Sequence, residues 1–213
     1  AVYVAHNPTY YLEELSGAAY DSKFYVFGGY GRPIGSSQSV PLSIALVYDP
    51  APDLLDELPE RPEGITHGSW LVYDNEIYVF GGNASDGAPS ALVHAYDPHE
   101  KKWRPVTNLP EDEGLLGIGG LARVGQVAYL VGLYDKEDHS RWDSNITTYN
   151  LETGEWNVGQ GASMPEPLRF LTYQHALPVI GDSIYCVGGD AASGDSDAVH
   201  IYNTRTNTWS VGP

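Results

Sequence analysis

The stretch EIYVFGG, Glu76–Gly82, belongs to a repeat that occurs four times in this chain of 213 residues. Its variants are Tyr25–Gly29, Tyr129–Gly132 and Tyr185–Gly189, and the first glycines of successive copies stand 51 to 56 residues apart. A repeat of this length is typical of solenoids, arrays and propellers. Apolar residues alternate onto both sides of EIYVFGG, which predicts a strand covered on both faces by neighbouring sheets.

Each repeat has a second characteristic position, which is a tyrosine at Tyr48, Tyr96, Tyr149 or Tyr202. Seven residues after it the chain has Leu55, Trp103, Trp156 or Trp209. The interval from glycine to tyrosine varies between 14 and 20 residues, whereas the interval from tyrosine to tryptophan is constant. We therefore predict a loop in the first interval and a structural unit in the second.

The order of these features resembles the kelch repeat, in which an apolar strand ends in a glycine doublet and a tyrosine and a tryptophan follow at set spacing. The resemblance covers residues 17–213 and implies an all-β, kelch-type β-propeller with four complete four-stranded blades. Two departures occur, Leu133 after Gly132 and Leu55 in place of a tryptophan. The predicted structural repeat residues are Gly28, Gly29, Gly81, Gly82, Gly132, Gly188, Gly189, Tyr48, Tyr96, Tyr149, Tyr202, Trp103, Trp156 and Trp209.

All repeats are expected to belong to one propeller domain, with kelch repeats at 17–64, 65–114, 115–166 and 167–213. Residues 1–16 parallel the second half of a blade, so we predict an N-terminal half blade made of outer strands only. The inner strands of that blade are then expected from elsewhere in a larger parent protein or from another chain that completes the propeller. A self-contained ring of four blades is the alternative.

Acidic side chains dominate the composition, with 28 Asp and Glu against 11 Lys and Arg and a formal charge of −17. This balance argues against nucleic acid, whose phosphates require lysine and arginine, and favours a basic or amphipathic protein or peptide partner. No apolar run is long enough to predict membrane insertion. Two candidate glycosylation sites, Asn83 and Asn145, and a low lysine content slightly favour a secreted or cell-surface location over a cytoplasmic one.

Four antiparallel strands per repeat, here called a to d, place the b–c and d–a loops on one face and the a–b and c–d turns on the other. The b–c and d–a loops are long and dissimilar, which is typical of a specificity-determining surface. They carry 15 of the 28 acidic residues. The insertion at 30–43 is rich in Gly, Pro and Ser and is predicted to be a loop. The predicted binding residues on this face are Tyr30, Arg32, Tyr134, His139, Arg141, Trp142 and Arg169.

The acidic loop around His139 is the strongest single candidate for a contact site, because aromatic and arginine side chains supply much of the energy of interfaces. A flexible acidic loop without a partner is the alternative. No metal site and no cofactor are predicted. His94 and His200 stand at equivalent repeat positions and are expected to be structural. Asp190–Asp197 does not match a twelve-residue calcium loop.

Kelch proteins that bind iron for nitrile formation use spaced ligands, and the consecutive Glu137, Asp138 and His139 lack that spacing. Other enzymes on this fold use a tyrosine linked to a cysteine as a copper radical site. Cys186, the single cysteine, lies in an apolar stretch and is expected to be buried and inert. The leading hypothesis is a non-catalytic binding module. The alternatives are a propeller enzyme, either like a copper radical oxidase or sugar-modifying, and a structural subunit of an assembly.

Overall fold

The computed structural model describes residues 10–13, 15–63, 66–84, 86, 88–110, 117–135, 142–166, 168–169, 176–191 and 194–212. For Tyr10, Ser16, Tyr134, Trp142 and Arg169 it describes the backbone alone. All named regular elements in these residues are β-strands in antiparallel sheets, which confirms the predicted all-β class. The chain divides into two compact units, 1–106 and 107–213.

The first unit begins with β1 (Tyr10–Glu13) and the first four-stranded sheet. The strands of that sheet are β2 (Ser16–Tyr20), β3 (Lys23–Phe27), β6 (Ala45–Asp49) and β7 (Leu54–Glu57), which pair in this order. Between β3 and β6 lie β4 (Tyr30–Pro33) and β5 (Val40–Pro41). β1 pairs with β4 and β4 with β5 in a separate three-stranded sheet.

The predicted loop at 30–43 therefore contains two short strands. The described part of the predicted half blade at 1–16 is β1 and the start of β2.

The second sheet of the first unit has β8 (Ser69–Tyr73), β9 (Glu76–Phe80), β10 (Leu92–Asp97) and β11 (Lys102–Asn108), again paired consecutively. Its β9 is the EIYVF part of the repeated stretch. The hydrogen-bonded register places Ile77 opposite Tyr96 and Val79 opposite His94, so these four side chains share one face.

The second unit also contains two sheets, and each of them has four principal strands. The third sheet consists of β12 (Gly117–Val124), β13 (Val127–Tyr134), β15 (Thr147–Asn150) and β16 (Trp156–Asn157), with β14 (Trp142–Asp143) also paired to β13. The fourth sheet consists of β17 (Leu168–Arg169), β19 (Ser183–Ala191), β20 (Gly194–Asn203) and β21 (Thr208–Val211), with β18 (Val179–Ile180) also paired to β19.

Apolar side chains fill the space between consecutive sheets within each unit. In the first unit, Tyr25 and Phe27 of the first sheet cluster with Ile77, Val79 and Tyr96 of the second. We call the face that meets the following sheet the forward face, and the face that meets the preceding sheet the rear face. Complete burial of one such side chain contributes about 1.5–3 kcal/mol, so these contacts hold the sheets together.

The same arrangement recurs in the second unit. Ala122 and Val131 on the forward face of the third sheet cluster with Ile184, Cys186 and Tyr202 on the rear face of the fourth. Each sheet therefore has one apolar face packed against the other sheet of its unit.

Positive φ angles explain the glycine doublets that follow the b strands. The φ values are 57° and 110° at Gly81 and Gly82, and 65° and 126° at Gly188 and Gly189. Side chains with a Cβ are strongly disfavoured in this region. In the third repeat only Gly132 has a positive φ, 65°, so Leu133 is accommodated at the second position.

In the second, third and fourth repeats the tyrosine and the tryptophan contact each other across strands c and d. The ring centroids of Tyr96 and Trp103 lie 5.0 Å apart, and those of Tyr202 and Trp209 lie 5.1 Å apart. Each indole also reaches the end of the preceding repeat: Trp103 Nε1 donates to the Pro59 carbonyl at 2.9 Å, and Trp209 Nε1 to the Ala162 carbonyl at 2.9 Å. The constant spacing thus serves a strand pairing and a link between repeats.

Candidate functional site

The turns that join strands c and d have one design in all four repeats. The aspartate or asparagine after the repeat tyrosine accepts hydrogen bonds from backbone N–H groups two or three residues later, as Asx turns do. Asp97 Oδ1 accepts from His99 N at 2.8 Å and Glu100 N at 3.0 Å. The equivalent acceptors are Asp49, Asn150 and Asn203. We call the end of the sheets formed by these turns the turn face.

The opposite end of the sheets, which we call the loop face, has a different structure in each repeat. The first b–c connection forms β4 and β5, and the second is held by isolated bridges that join Asn83 to Thr66 and to Pro89. The fourth extends β19 and β20 into a longer hairpin in which Asp190 stands opposite Asp195. Elements of constant design therefore end at the turn face, and variable elements lie at the loop face.

Two predicted binding residues of the first unit, Tyr30 and Arg32, lie on one side of β4. The strand register places Arg32 opposite Tyr11 and Tyr30 opposite Glu13 on β1. The Arg32 guanidinium lies 4.9 Å from the centre of the Tyr11 ring, and its Nε is 3.7 Å from Glu13 Oε1. Both charged side chains are partly open to solvent, so this pair orders Arg32 without removing it from the surface.

One exposed aromatic ring adjoins this group. Tyr11 is exposed next to Arg32, whereas the exposed Leu12 and Val40 are paired with Gly31 and lie on the other side of the sheet. The rings of Tyr30 and His67 meet edge to face, with centroids 6.1 Å apart. We call Tyr11, Tyr30 and Arg32 the β4 patch. It combines aromatic and guanidinium groups, which are enriched among the residues that contribute most at protein interfaces.

The remaining predicted binding residues belong to the second unit. Backbone pairing sets Tyr134 opposite Trp142, so β13 and β14 lie at the base of the acidic loop. His139 and Arg141 lie outside the described residues. Arg169 in β17 pairs with Asp190 in β19. The structure thus places the backbones of Tyr134 and Trp142 side by side on paired strands.

A buried arginine that sequence reasoning missed lies behind the loop face of the first unit. Arg61 is almost fully buried, and its Nε and Nη2 both lie 3.3 Å from His94 Nδ1. Burial, and then the Arg61 charge, lower the pKa of His94 to about 4, so this imidazole is a neutral acceptor at pH 7. Burial also lowers the pKa of Arg61 to about 10, which leaves the guanidinium charged.

The equivalent histidine of the fourth sheet, His200, lies next to a carboxylate instead of a guanidinium. His200 Nε2 lies 3.4 Å from Glu166 Oε2, which also accepts a hydrogen bond from Ser196 Oγ at 2.7 Å. The bonds from Ser196 and then His200 lower the pKa of Glu166. In the sequence Glu166 directly follows Met164-Pro165, whereas Arg61 stands one residue further from Leu58-Pro59, after Glu60.

The polar groups that could suggest chemistry have structural partners or are inert. Burial raises the pKa of Cys186 to about 12, which suppresses the thiolate. Glu60 accepts a hydrogen bond from Ser43 Oγ at 2.8 Å, and Asn145 Oδ1 accepts one from Ser163 Oγ. Among the described residues, no group of three or more histidine, cysteine or acidic side chains could hold a metal ion. In the same residues no helix is long and apolar enough to cross a membrane.

Comparison with known proteins adds independent findings. A family model described as the kelch motif matches residues 71–110 and 171–213. The chain is 27% identical over 206 residues to Kelch-like protein 25 of Xenopus tropicalis, covering 92% of this chain and 32% of that protein. It is 28% identical over 211 residues to Kelch-like protein terF of Aspergillus terreus, covering 93% and 44%.

A third relative carries the name of an enzyme. The chain is 25% identical over 194 residues to N-(sulfonatooxy)prop-2-enimidothioate sulfolyase of Thlaspi arvense, covering 81% of this chain and 53% of that protein. The chain therefore spans between about a third and about half the length of these three relatives. The kelch matches support the assignment of this chain as a kelch-repeat protein-interaction module. Together with the repeated four-stranded sheets, these matches support a kelch-repeat β-propeller fold for this chain.

Proposed function

We propose that this chain is a non-catalytic binding module that recognises a protein or peptide through its b–c and d–a loops. The supporting observation is the contrast between the two ends of the sheets. All four c–d turns use the same Asx geometry, whereas the described b–c connections differ from one another. Variation on a rigid scaffold is expected where specificity is determined.

The proposed partner is basic or amphipathic. The chain has a formal charge of −17, and the loop segments hold more than half of its acidic residues. Opposite charge on the partner would accelerate encounter and make association slower at high salt. The exposed Tyr11 ring of the β4 patch would cover the apolar side of such a partner.

The proposed contacts form one group in each unit. In the first unit they are Tyr30 and Arg32, which β1 holds at the surface. In the second unit they are Tyr134, His139, Arg141, Trp142 and Arg169. Aromatic and arginine side chains are the ones whose truncation most often costs more than about 1 kcal/mol at an interface.

The experiment begins with a phage-displayed library of random peptides selected on the wild-type chain. We expect the enriched peptides to combine lysine or arginine with aromatic residues. Two double variants then test the face, Tyr30→Ala with Arg32→Ala, and Arg141→Ala with Trp142→Ala. At least one of them should weaken binding of the enriched peptide about tenfold or more, that is by about 1.4 kcal/mol.

The matched control is Lys101→Ala with Lys102→Ala on the turn face, where both side chains are exposed. It should leave the peptide affinity unchanged. Circular dichroism of every variant should match the wild type, and thermal melting of the lysine control should match it as well, since exposed substitutions usually change stability by less than about 0.5 kcal/mol. Loss of binding in the lysine variant, with normal binding in both loop-face variants, would contradict the proposed face.

An enzyme is the second candidate, because one relative is named as a sulfolyase. The discriminating measurement is turnover of sulfated thioimidate substrates and of sugars by the purified chain, with elemental analysis for iron and copper. Turnover that depends on a loop-face residue would replace the binding module with an enzyme. A structural subunit of an assembly is the third candidate.

A further inference from the structure

At the turn face, acidic side chains are paired with cations of the chain itself. In the first unit Lys23 Nζ lies 3.0 Å from Asp49 Oδ2, and in the second unit Arg205 Nη1 lies 3.3 Å from Asp182 Oδ2. Each pair lies at the turn end of one sheet, where the surface is open to solvent and ion pairs are weak. These two carboxylates therefore already have a counter-charge.

The loop face has a glutamate at the same repeat position in each unit, directly after the Leu-Pro or Met-Pro pair of a d–a loop. These residues are Glu60 and Glu166. Both reach solvent, because Glu60 is exposed and the Glu166 side chain is 37% exposed. Within the part of the chain that the structure describes, neither carboxylate forms an ion pair with a lysine or an arginine.

A serine hydroxyl holds one oxygen of each of these carboxylates. Ser43 Oγ donates to Glu60 Oε2 at 2.8 Å, and Ser196 Oγ donates to Glu166 Oε2 at 2.7 Å. His200 Nε2 lies 3.4 Å from the same Glu166 oxygen. The hydrogen bonds from Ser196 and then His200 lower the pKa of Glu166, so this carboxylate is ionised at pH 7. Among the described residues, neither Oε1 has a hydrogen-bond partner.

A carboxylate held by one oxygen is prepared to bind a cation with the other. The serine already restricts the rotamers of the glutamate, so binding costs less conformational entropy than it does at a mobile surface side chain. One available oxygen suits the ammonium group of lysine, which acts as a point charge. The guanidinium of arginine binds best to both oxygens of a carboxylate.

We propose that Glu60 and Glu166 each bind one lysine side chain of the partner through Oε1. This inference rests on the proposed function of the loop face and deepens it, because it names the groups that select a basic partner. Ser43 and Ser196 are positioning residues, since they act through the glutamates that they hold.

The test is the affinity of fluorescein-labelled hexalysine for the 213-residue chain, measured by fluorescence anisotropy at low salt. Glu60→Gln and Glu166→Gln should each weaken binding about two- to fivefold, the range that exposed ion pairs support. Glu152→Gln is the matched control, because it removes the same charge from an exposed glutamate in a c–d turn. It should leave the affinity almost unchanged.

Two serine variants separate a held carboxylate from general charge attraction. Ser196→Ala leaves the net charge unchanged but removes the donor to Glu166 Oε2, so it should weaken hexalysine binding. Ser196→Thr keeps a hydroxyl at this position and should bind like the wild type. Hexaarginine in place of hexalysine should depend less on both glutamates, because each offers only one oxygen.

A wild-type chain that does not bind hexalysine would overturn the inference, as would equal losses in Glu166→Gln and Glu152→Gln. Normal affinity in Glu60→Gln or in Glu166→Gln would overturn the assignment of that glutamate. A larger loss for hexaarginine would overturn the preference for lysine. Failure of the proposed function is distinguishable, since it is judged by the library-selected peptide and the two double variants of the loop face.

Discussion

The turn face and the loop face are ends of the same strands, and they differ in how their connections are held. At the turn face an aspartate or asparagine one residue after the repeat tyrosine accepts backbone N–H groups in all four repeats. At the loop face the first repeat adds two strands, the second uses bridges at Asn83, and the fourth lengthens a hairpin. The c–d turns of the scaffold therefore keep one structure in every repeat, whereas the described b–c connections at the other end of the strands differ from repeat to repeat.

Among the substitutions that distinguish the scaffold from the loops, Trp156→Ala is expected to have the largest effect on stability. The Trp156 ring lies 4.6 Å from the ring of Tyr149, and its Nε1 lies 3.4 Å from Thr107 Oγ1. Trp156→Ala should lower the free energy of unfolding by about 3–5 kcal/mol because it removes a large aromatic side chain from a packed site. Chemical denaturation measures this, with Glu152→Ala at an exposed position of the same repeat as a control that should cost far less.

If Trp156→Ala abolished peptide binding while its melting temperature stayed at the wild-type value, the scaffold assignment of this tryptophan would be wrong.

The next effect is a pH dependence that distinguishes two equivalent histidines by their partners. Burial, and then the Arg61 charge, lower the pKa of His94 to about 4, below its ordinary 6.5. The unfolded chain therefore takes up a proton first as pH falls, and stability is lost between pH 6.5 and pH 4. A shift of this size corresponds to about 3 kcal/mol.

His94→Gln should remove most of this loss, because glutamine offers Arg61 an acceptor that does not titrate. Urea unfolding of the wild type and the variant at pH 7, 6, 5 and 4.5 gives the difference directly. His200→Gln is the matched comparison, since its partner is the carboxylate of Glu166. Parallel pH curves for the wild type and His94→Gln would show that His94 does not stay neutral in the folded chain.

A smaller effect is expected at the turn face itself. Asp97→Ala removes the acceptor for two backbone N–H groups and should cost about 1 kcal/mol. Asn203→Ala should cost a similar amount, because Asn203 Oδ1 accepts from Arg205 N and Thr206 N in the same way. Thermal melting compares both with Glu100→Ala, whose exposed carboxylate lies 3.4 Å from Lys102 Nζ. Unequal costs at Asp97 and Asn203 would break the equivalence of the turns.

The repeat pattern predicted the fold class because it depends on local spacing. The interval from tyrosine to tryptophan corresponds to one Asx turn between two paired strands, and the positive φ at Gly81 and Gly82 requires glycine. Such features leave a periodic trace in the sequence. They also predicted that Cys186 would be buried, as it is.

Features that depend on distant pairing could not be predicted in this way. The segment 30–43 has the composition of a loop, and β4 forms because β1, twenty residues earlier in the chain, pairs with it. Arg61 and His94 are 33 residues apart, and the repeats offer no precedent for their contact because Glu166 stands with His200.

The central claim is that the loop face, and not the turn face, binds the partner. Hydrogen–deuterium exchange of the wild-type chain with and without a saturating library-selected peptide tests it most directly. Binding should slow amide exchange in 30–41 or 132–143 and leave 97–101 and 203–207 unchanged. Protection confined to the c–d turns, with unchanged exchange in every b–c and d–a loop, would contradict the account.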